Sequence, residues 1–514
     1  MYKTIISLLL LSLCSQVAAE KIRPNIVWMF SDDHATQAIG AYGGLLESYN
    51  LTPNIDRLAK EGMIFKRAYV GNSICAPSRA TLLTGKHSHL HGKVDNAKGF
   101  DHNQQQFQKL LQKGGYQTAM IGKIHLPGKM QGFDYWEVLP GQGKYWDPEF
   151  VTETGKTIYP GEHSSDVITR RALNWMNNER DKSKPFMLMV HFKAPHRSWQ
   201  PTTRWKKKFS TMTFPEPDTL FDDYQGRGTA AKYQDMNIEH SMNMVGDLKS
   251  NQSPRKEFLK KNALTGKALV KWKYQMYMRD YLACIAGVDE NIGKILDQLA
   301  ESGLDKNTIV MYSSDQGFYL GEHGWFDKRF MYEESYRTPL LARWPGVIKA
   351  KTRNEDLVQN IDFAETFLDL AGLPIPADMQ GESLVPLMKG KTPDDWRTHL
   401  YYHYYEYPGW HSVHRHEGVS DKRYKLMRFY GKDVPNGEEW EFYDLKTDPS
   451  EMKSEYANPE YASTIAKLKK ELANLREKYE VKDIPQYDIN PWKVLRKRDA
   501  ERKARMEADM KARN

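Results

Sequence analysis

The 514-residue chain predicts an α/β fold with a largely parallel central sheet and a smaller α+β subdomain at its carboxy-terminal end. Three observations carry that expectation. Apolar strand-like runs alternate with helically spaced stretches, as βαβ crossovers require. Acidic residues follow directly on two of those strands, at the carboxyl ends where open α/β sheets bind ligands. Beyond Thr392 the composition shifts to aromatic runs and short strands. A length of 514 residues allows several average domains or one large core with an appendage, and a hydrophobic content of 40% is enough to fill such a core.

The elements follow in chain order. Lys3 precedes the apolar run Ile5 to Leu13, and Val17-Ala18-Ala19 places small residues at the cleavage positions, which predicts a secretory signal over residues 1–19. Leu13 is too bulky for a lipoprotein signal at Cys14, so that cysteine leaves with the leader. The protein is therefore expected to be exported, periplasmic or secreted. A main domain is predicted over 20–392, with a buried strand from Asn25 to Phe30 and a helix from Asn54 to Glu61. Further strands are expected at Phe186 to Phe192 and Thr308 to Tyr312, the latter preceded by an amphipathic helix from Leu282 to Leu299. The polar stretch from about Phe209 to Val270 reads as an irregular insertion on the substrate side. A subdomain over 393–490 holds the aromatic run Leu400 to Tyr407, a strand at Tyr424 to Tyr430 and a helix at Tyr461 to Tyr479. No internal stretch is long and apolar enough to span a bilayer.

The net charge of +8 is concentrated in the last segment, 491–514, where nine Lys or Arg face four Asp or Glu. A solvated or partly docked terminal helix explains it, and attraction to a polyanionic polysaccharide or a membrane face is the alternative. Nucleic acid is not an expected partner. Once the leader is gone only Cys75 and Cys284 remain, and Cys284 lies among helically spaced apolar residues, the setting of core packing.

Cys75 opens the run Cys75-Ala76-Pro77-Ser78-Arg79-Ala80-Thr81-Leu82-Leu83-Thr84-Gly85. Proline favours a first helical turn, so the positive end of a helix is expected to face residue 75. At the strand ends, Asp32 and Asp33 follow the first strand, and Asp315 with Gln316 follows the strand at 308–312. Three carboxylates and an amide oxygen are hard ligands suited to Ca²⁺ or Mg²⁺ and poor for zinc.

Cys-x-Pro-x-Arg followed by Leu-Leu-Thr-Gly resembles the sulfatase signature, and the resemblance extends from Arg23 to about Tyr479. It implies an alkaline-phosphatase-like core. It implies further that Cys75 is oxidised to Cα-formylglycine by a formylglycine-generating enzyme or an anaerobic sulfatase-maturing enzyme, and that one hydroxyl of the hydrated aldehyde attacks sulfur. The family's metal ligands match Asp32, Asp33, Cys75, Asp315 and Gln316, with Gln316 the less usual choice and Ca²⁺ the expected ion. Gly122-Lys123-Ile124-His125 resembles the family's Gly-Lys-x-His, which puts Lys123 on the sulfate and His125 at release. Ala194-Pro195-His196 resembles the sulfate-contacting histidine, and Lys328 the lysine beside the leaving oxygen. Arg79 completes the catalytic set.

Substrate contacts are expected from Lys123, His196 and Lys328, and from Lys93, Asp95 and Asn96 if these are not a plain loop. His87, His89 and His91 lack the partners of a zinc site and read as cleft or structural residues. His403, His411, His414 and His416, set among Tyr and Trp, suit either sugar stacking or a packed aromatic core. The run Ser314 to Trp325 resembles bacterial carbohydrate sulfatases. The implied substrate is a sulfated polysaccharide or its oligosaccharides, with an algal glycan such as ulvan or carrageenan favoured. N-acetylglucosamine 6-sulfate in glycosaminoglycans or mucins is the alternative. A phosphonate or phosphate-ester hydrolase of the same superfamily and a non-catalytic binder of sulfated glycans stay open.

Overall fold

The computed structural model describes residues 23–97, 99–485 and 504. The predicted leader, and all but one residue of the basic extension, lie outside the described residues. Asn25–Ser31 is buried along its whole length. Val27 and Met29 turn to one layer of the core while Ile26, Trp28 and Phe30 turn to the other. This is the two-residue alternation of a strand covered on both faces. The strand pairs in parallel with Thr308–Ser314 and with Phe186–His191, and Gln117–Lys123 and Tyr135–Leu139 continue the parallel run. Leu340–Arg343 and Glu149–Val151 join antiparallel beyond it, within a sheet of ten strands. The central sheet is thus mostly parallel where it carries the acidic strand ends.

Two helical layers sandwich this sheet. On the Val27 face lies Gly266–Glu301, a helix of 36 residues. It starts well before the expected Leu282, because Val270, Tyr274, Tyr277, Met278 and Tyr281 continue its buried stripe. The lysines between them give the sequence a local two-residue alternation that hides the helical period. Cys284 is buried in this same layer, as packing predicts. On the opposite face, Cys75–Thr84, Phe107–Lys113 and Phe363–Leu370 gather around Trp28, which stacks on Phe363 at 5.3 Å.

The expected irregular insertion is more ordered than its polarity suggests. It contains the helices Thr229–Tyr233 and Arg255–Asn262, and Leu220, Ile238, Met242 and Leu248 sit in the main core. Its backbone bonds to the segment just ahead of Lys328, through Ile238 N to Gly324 O and Phe326 N to Met236 O. The stretch therefore supports the segment that leads into Lys328. No helix among the described residues is long and apolar enough to cross a membrane.

At the carboxy-terminal end, Leu400–Tyr404, His416–Ser420, Tyr424–Tyr430 and Glu438–Asp444 form a four-stranded antiparallel sheet. Tyr401, Val419, Leu426 and Phe442 meet Ile465, Leu468, Leu472 and Leu475 of the helix Ala462–Lys478. From the other face, Tyr402, Tyr404, Met427, Phe429 and Tyr443 pack on Trp325, Phe330, Met331, Tyr332 and Tyr336 of the main domain. His87 packs against Tyr401 and Tyr479, and His89 Nε2 donates to Tyr479 O at 2.7 Å, so both histidines pin this subdomain to the core.

Candidate active site

The carboxyl ends of two adjacent parallel strands deliver Asp32, Asp33, Asp315 and Gln316 to one buried point, all four with no measurable exposure. Oxygens of Asp32, Asp33 and Asp315 lie within 4.8 Å of one another, as do ligand atoms of Asp32, Cys75 and His196. Cys75 is the first residue of its helix and its Sγ stands 3.5 Å from Asp32 Oδ1. Burial pushes the thiol pKa up, overriding the helix terminus that would lower it. A thiolate nucleophile is therefore disfavoured at residue 75.

Cations answer the carboxylates. Arg79, one helical turn from Cys75, donates through Nε to Asp315 Oδ2 at 3.1 Å and through Nη1 to Lys123 O at 2.6 Å, with Nη2 3.5 Å from Asp32 Oδ2. Lys123 Nζ pairs with Asp32, and Lys328 Nζ sits 2.7 Å from Asp33 Oδ1. Gly122 holds Lys123 in place: its φ is +113°, and a Cβ there would stand 1.9 Å from His191 O. Only glycine lets the strand carrying Lys123 approach the Phe186–His191 strand so closely.

Burial pulls Lys328 down, yet Asp33 and Asp327 outweigh it and hold the ammonium above its ordinary pKa. His196 and His125 are pushed well below theirs, chiefly by burial and then by the charge of Lys123. His196 Nδ1 donates to Arg197 O at 2.5 Å, which leaves Nε2 facing the cluster 3.8 Å from Asp33 Oδ2. His125 Nδ1 is buried without a hydrogen-bond partner among the described residues. Asp33, His125, Asp327 and Arg329 all take positive φ, between 56° and 98°. Such backbone, costing about 1–3 kcal/mol per residue, gathers where function over-determines geometry.

The donor set fits a divalent cation. Burial pushes Asp33 up to about 7, with Lys328 opposing and Asp315 adding its repulsion. A cation among the three carboxylates removes that like-charge penalty. Gln316 Nε2 donates to Asp33 Oδ1 at 2.5 Å and to Asp315 Oδ1 at 2.8 Å, while its buried Oε1 has no partner among the described residues. A half-turn of the amide puts that oxygen where the nitrogen stands and aims it at the ion.

Of the candidate sugar contacts, Lys93 and Asp95 are buried, and burial lowers the Lys93 pKa against the pull of Asp95 and Glu406. Asn96 Oδ1 accepts the backbone N–H of Ala76 at 3.1 Å. It thereby satisfies one of the open donors at the start of the Cys75 helix. The sequence reading omitted a charged rim beside Lys328: Arg329 lies 3.4 Å from Asp327 and 3.3 Å from Glu406, and His411 Nε2 lies 3.2 Å from Asp327 Oδ2. The dense charge of Asp327-Lys328-Arg329 was the available signal. Glu406 and His411 come from a loop that only the tertiary fold brings near. His403 and His416, in the flanking strands, and His414 between them are buried, His416 stacking on Tyr402 at 5.4 Å, so the packed-core alternative holds for these three.

The Sulfatase family model matches residues 24–373, and a model of the N-sulphoglucosamine sulphohydrolase carboxy-terminal region matches residues 321–478. An N-acetylglucosamine-6-O-sulfatase of Bacteroides thetaiotaomicron is 49% identical over 502 residues, covering 90% of this chain and 88% of its own. An ulvan-active sulfatase of Formosa agariphila is 28% identical over 483 residues, covering 90% and 84%. A solved structure of a protein in complex with its substrate D-glucosamine-2-N,6-O-disulfate superposes with a TM-score of 0.85 at 47% identity, covering 89% of this chain and 98% of that one.

Proposed function

The chain belongs to the sulfatase family, and from that premise we propose that it removes the 6-O-sulfate of glucosamine units derived from glycosaminoglycans, using formylglycine made from Cys75 and a bound Ca²⁺. One observation carries the reaction: Cys75, three carboxylates, a guanidinium and two ammoniums meet in a single buried cluster. The sugar follows from likeness. The relative at 49% identity is named for N-acetylglucosamine 6-O-sulfate, whereas the ulvan-active one stands at 28%, so the algal expectation gives way to the glucosamine one.

The hydrated aldehyde at residue 75 would supply a hydroxyl nucleophile toward sulfur and a second hydroxyl for sulfate release, and the cation held by Asp32, Asp33, Asp315 and Gln316 would supply positive charge beside them. The remaining work falls to side chains. Arg79, fixed by Asp315 and the Lys123 carbonyl, orients residue 75 at the helix end. Lys123 and Lys328 stabilise negative charge on the sulfuryl oxygens in a water-poor setting, where each donor contributes on the order of 3 kcal/mol. Lys328 holds a proton for the departing sugar oxygen. His125, neutral and with Nδ1 open, takes one from residue 75 as sulfate leaves. His196 donates to the sulfate only once the ring is protonated, which the incoming anion favours. Asp327, Arg329, Glu406 and His411 form a buried rim able to bind sugar hydroxyls. Export, proposed from residues 1–19, would bring the protein to such glycans.

The test is sulfate release by protein co-produced with a formylglycine-generating enzyme. The substrates are N-acetylglucosamine 6-sulfate, D-glucosamine-2-N,6-O-disulfate, ulvan, carrageenan, 4-nitrophenyl sulfate and a phosphonate monoester. Release from the 6-sulfated glucosamines is expected, and Cys75→Ala should lose it by on the order of 10⁴-fold with folding intact. Preference for ulvan, carrageenan or the phosphonate overturns the proposal.

A further inference from the structure

The loop joining Leu400–Tyr404 to His416–Ser420 is anchored on both sides of its tip. Before the tip, Glu406 accepts the Asn96 backbone N–H at 2.9 Å and pairs with Arg329. It thus touches both the cap of the Cys75 helix and the residue after Lys328. After the tip, His411 bonds through Nδ1 to Asp235 O at 2.7 Å, and Ser412 donates to Asp235 Oδ2 at 2.7 Å. The turn between is tight, since a Cβ on Gly409, at φ +51°, would stand 2.6 Å from Glu406 Oε1. The side chains of this loop are mostly buried, with Tyr405, Tyr407, His411 and Ser412 at 6% exposure or less, yet Trp410 is 50% exposed. The fold fixes the backbone on either side of this indole and leaves half of it open to solvent.

We infer that Trp410 is a stacking platform for a pyranose ring of the substrate and selects for saccharides at this site. The inference rests on the saccharide reading above. Trp410 directly precedes His411, whose ring touches Asp327 next to Lys328, and consecutive Cα atoms are about 3.8 Å apart, so the backbone of Trp410 is held close to the charged rim. The C–H face of a pyranose is apolar and its hydroxyls lie at the edge. An aromatic face with a polar rim matches both surfaces. The charged rim fixes the hydroxyls and Trp410 covers the face.

The experiment is steady-state kinetics on the mature, calcium-loaded full chain with N-acetylglucosamine 6-sulfate, comparing wild type, Trp410→Ala and Trp410→Phe. In Trp410→Ala, KM is expected to rise about 10-fold with kcat within about twofold, and Trp410→Phe to recover most of the loss. Saccharide turnover with an unchanged KM in Trp410→Ala overturns the platform and leaves the saccharide reading standing. A fall in kcat with KM unchanged also overturns it. Wild-type turnover of 4-nitrophenyl sulfate without any saccharide turnover overturns the saccharide reading, and the platform with it. Equal melting temperatures of the three proteins separate a local effect from misfolding.

Discussion

Asp315 serves two demands at once. One oxygen holds the Arg79 guanidinium at 3.1 Å and the other accepts the Asp33 backbone N–H at 3.0 Å, while the carboxylate also completes a trio with Asp32 and Asp33 that could hold a cation. An amide of the same shape can keep the second contact but cannot match the charge. Asp315→Asn is therefore expected to fold and to lose calcium affinity by on the order of 10²-fold. Calorimetric titration of the apo protein checks this, and undiminished affinity would remove Asp315 from the ligand set. At this scale the sequence was informative wherever function is written in consecutive residues: Cys75 to Gly85, Gly122 to His125, Asp315-Gln316. It offered Asn96 only as a sugar contact and could not show its bond to Ala76, which is made across a loop. It was silent on Glu406, because nothing local tells a buried carboxylate paired with Arg329 from a solvated one.

Among the elements, the helix Ala462–Lys478 is made of strong helix formers and is held in place by its seat on the carboxy-terminal sheet. It has an apolar stripe of Ile465, Leu468, Leu472 and Leu475, and that stripe meets one face of the carboxy-terminal sheet. Truncating Leu472, 4% exposed, removes buried methyl groups from the middle of the contact. Leu472→Ala should cost about 2–5 kcal/mol. Urea unfolding followed by circular dichroism would show it, and a change below ~1 kcal/mol would mean that the helix is only loosely seated. This stripe was legible in the sequence because its spacing is regular and its opposite face is polar. Gly266–Glu301 shows the opposite case. In its first part the exposed Lys267 and Lys271 alternate with apolar residues, so the sequence there shows a two-residue pattern and only the second part could be read as a helix.

The whole molecule is held together through a sheet whose two faces are both committed, and one histidine at that junction gives the assembly a pH dependence. His416 accepts the Met331 N–H at Nε2, 3.2 Å away, and donates from Nδ1 to His414 O at 2.8 Å, a pattern only the neutral ring can make. Burial lowers its pKa from 6.5 to about 3. Between those values the unfolded chain binds the proton that the folded one refuses. This contribution to stability is therefore intact above pH 6.5 and is lost as the pH falls toward 3, by about 2 kcal/mol at pH 5. Unfolding free energies at pH 7 and pH 5 should fall further in the wild type than in His416→Gln, and equal losses would acquit this residue. The α/β class and the carboxy-terminal subdomain could be read from strand and helix periods. Which face of the subdomain meets the core could not, since Tyr401 and Tyr402 are alike in the sequence and point to opposite sides only once the strand is paired. That alternation has a consequence for anyone wishing to trim the chain. A version ending near residue 392 would bare Trp325, Phe330 and Tyr336, and would take Glu406 from Arg329 and His411 from Asp327, on either side of Lys328. No minimal catalytic fragment is to be had by deletion. Swapping the 405–412 loop between relatives is the cut that respects the architecture.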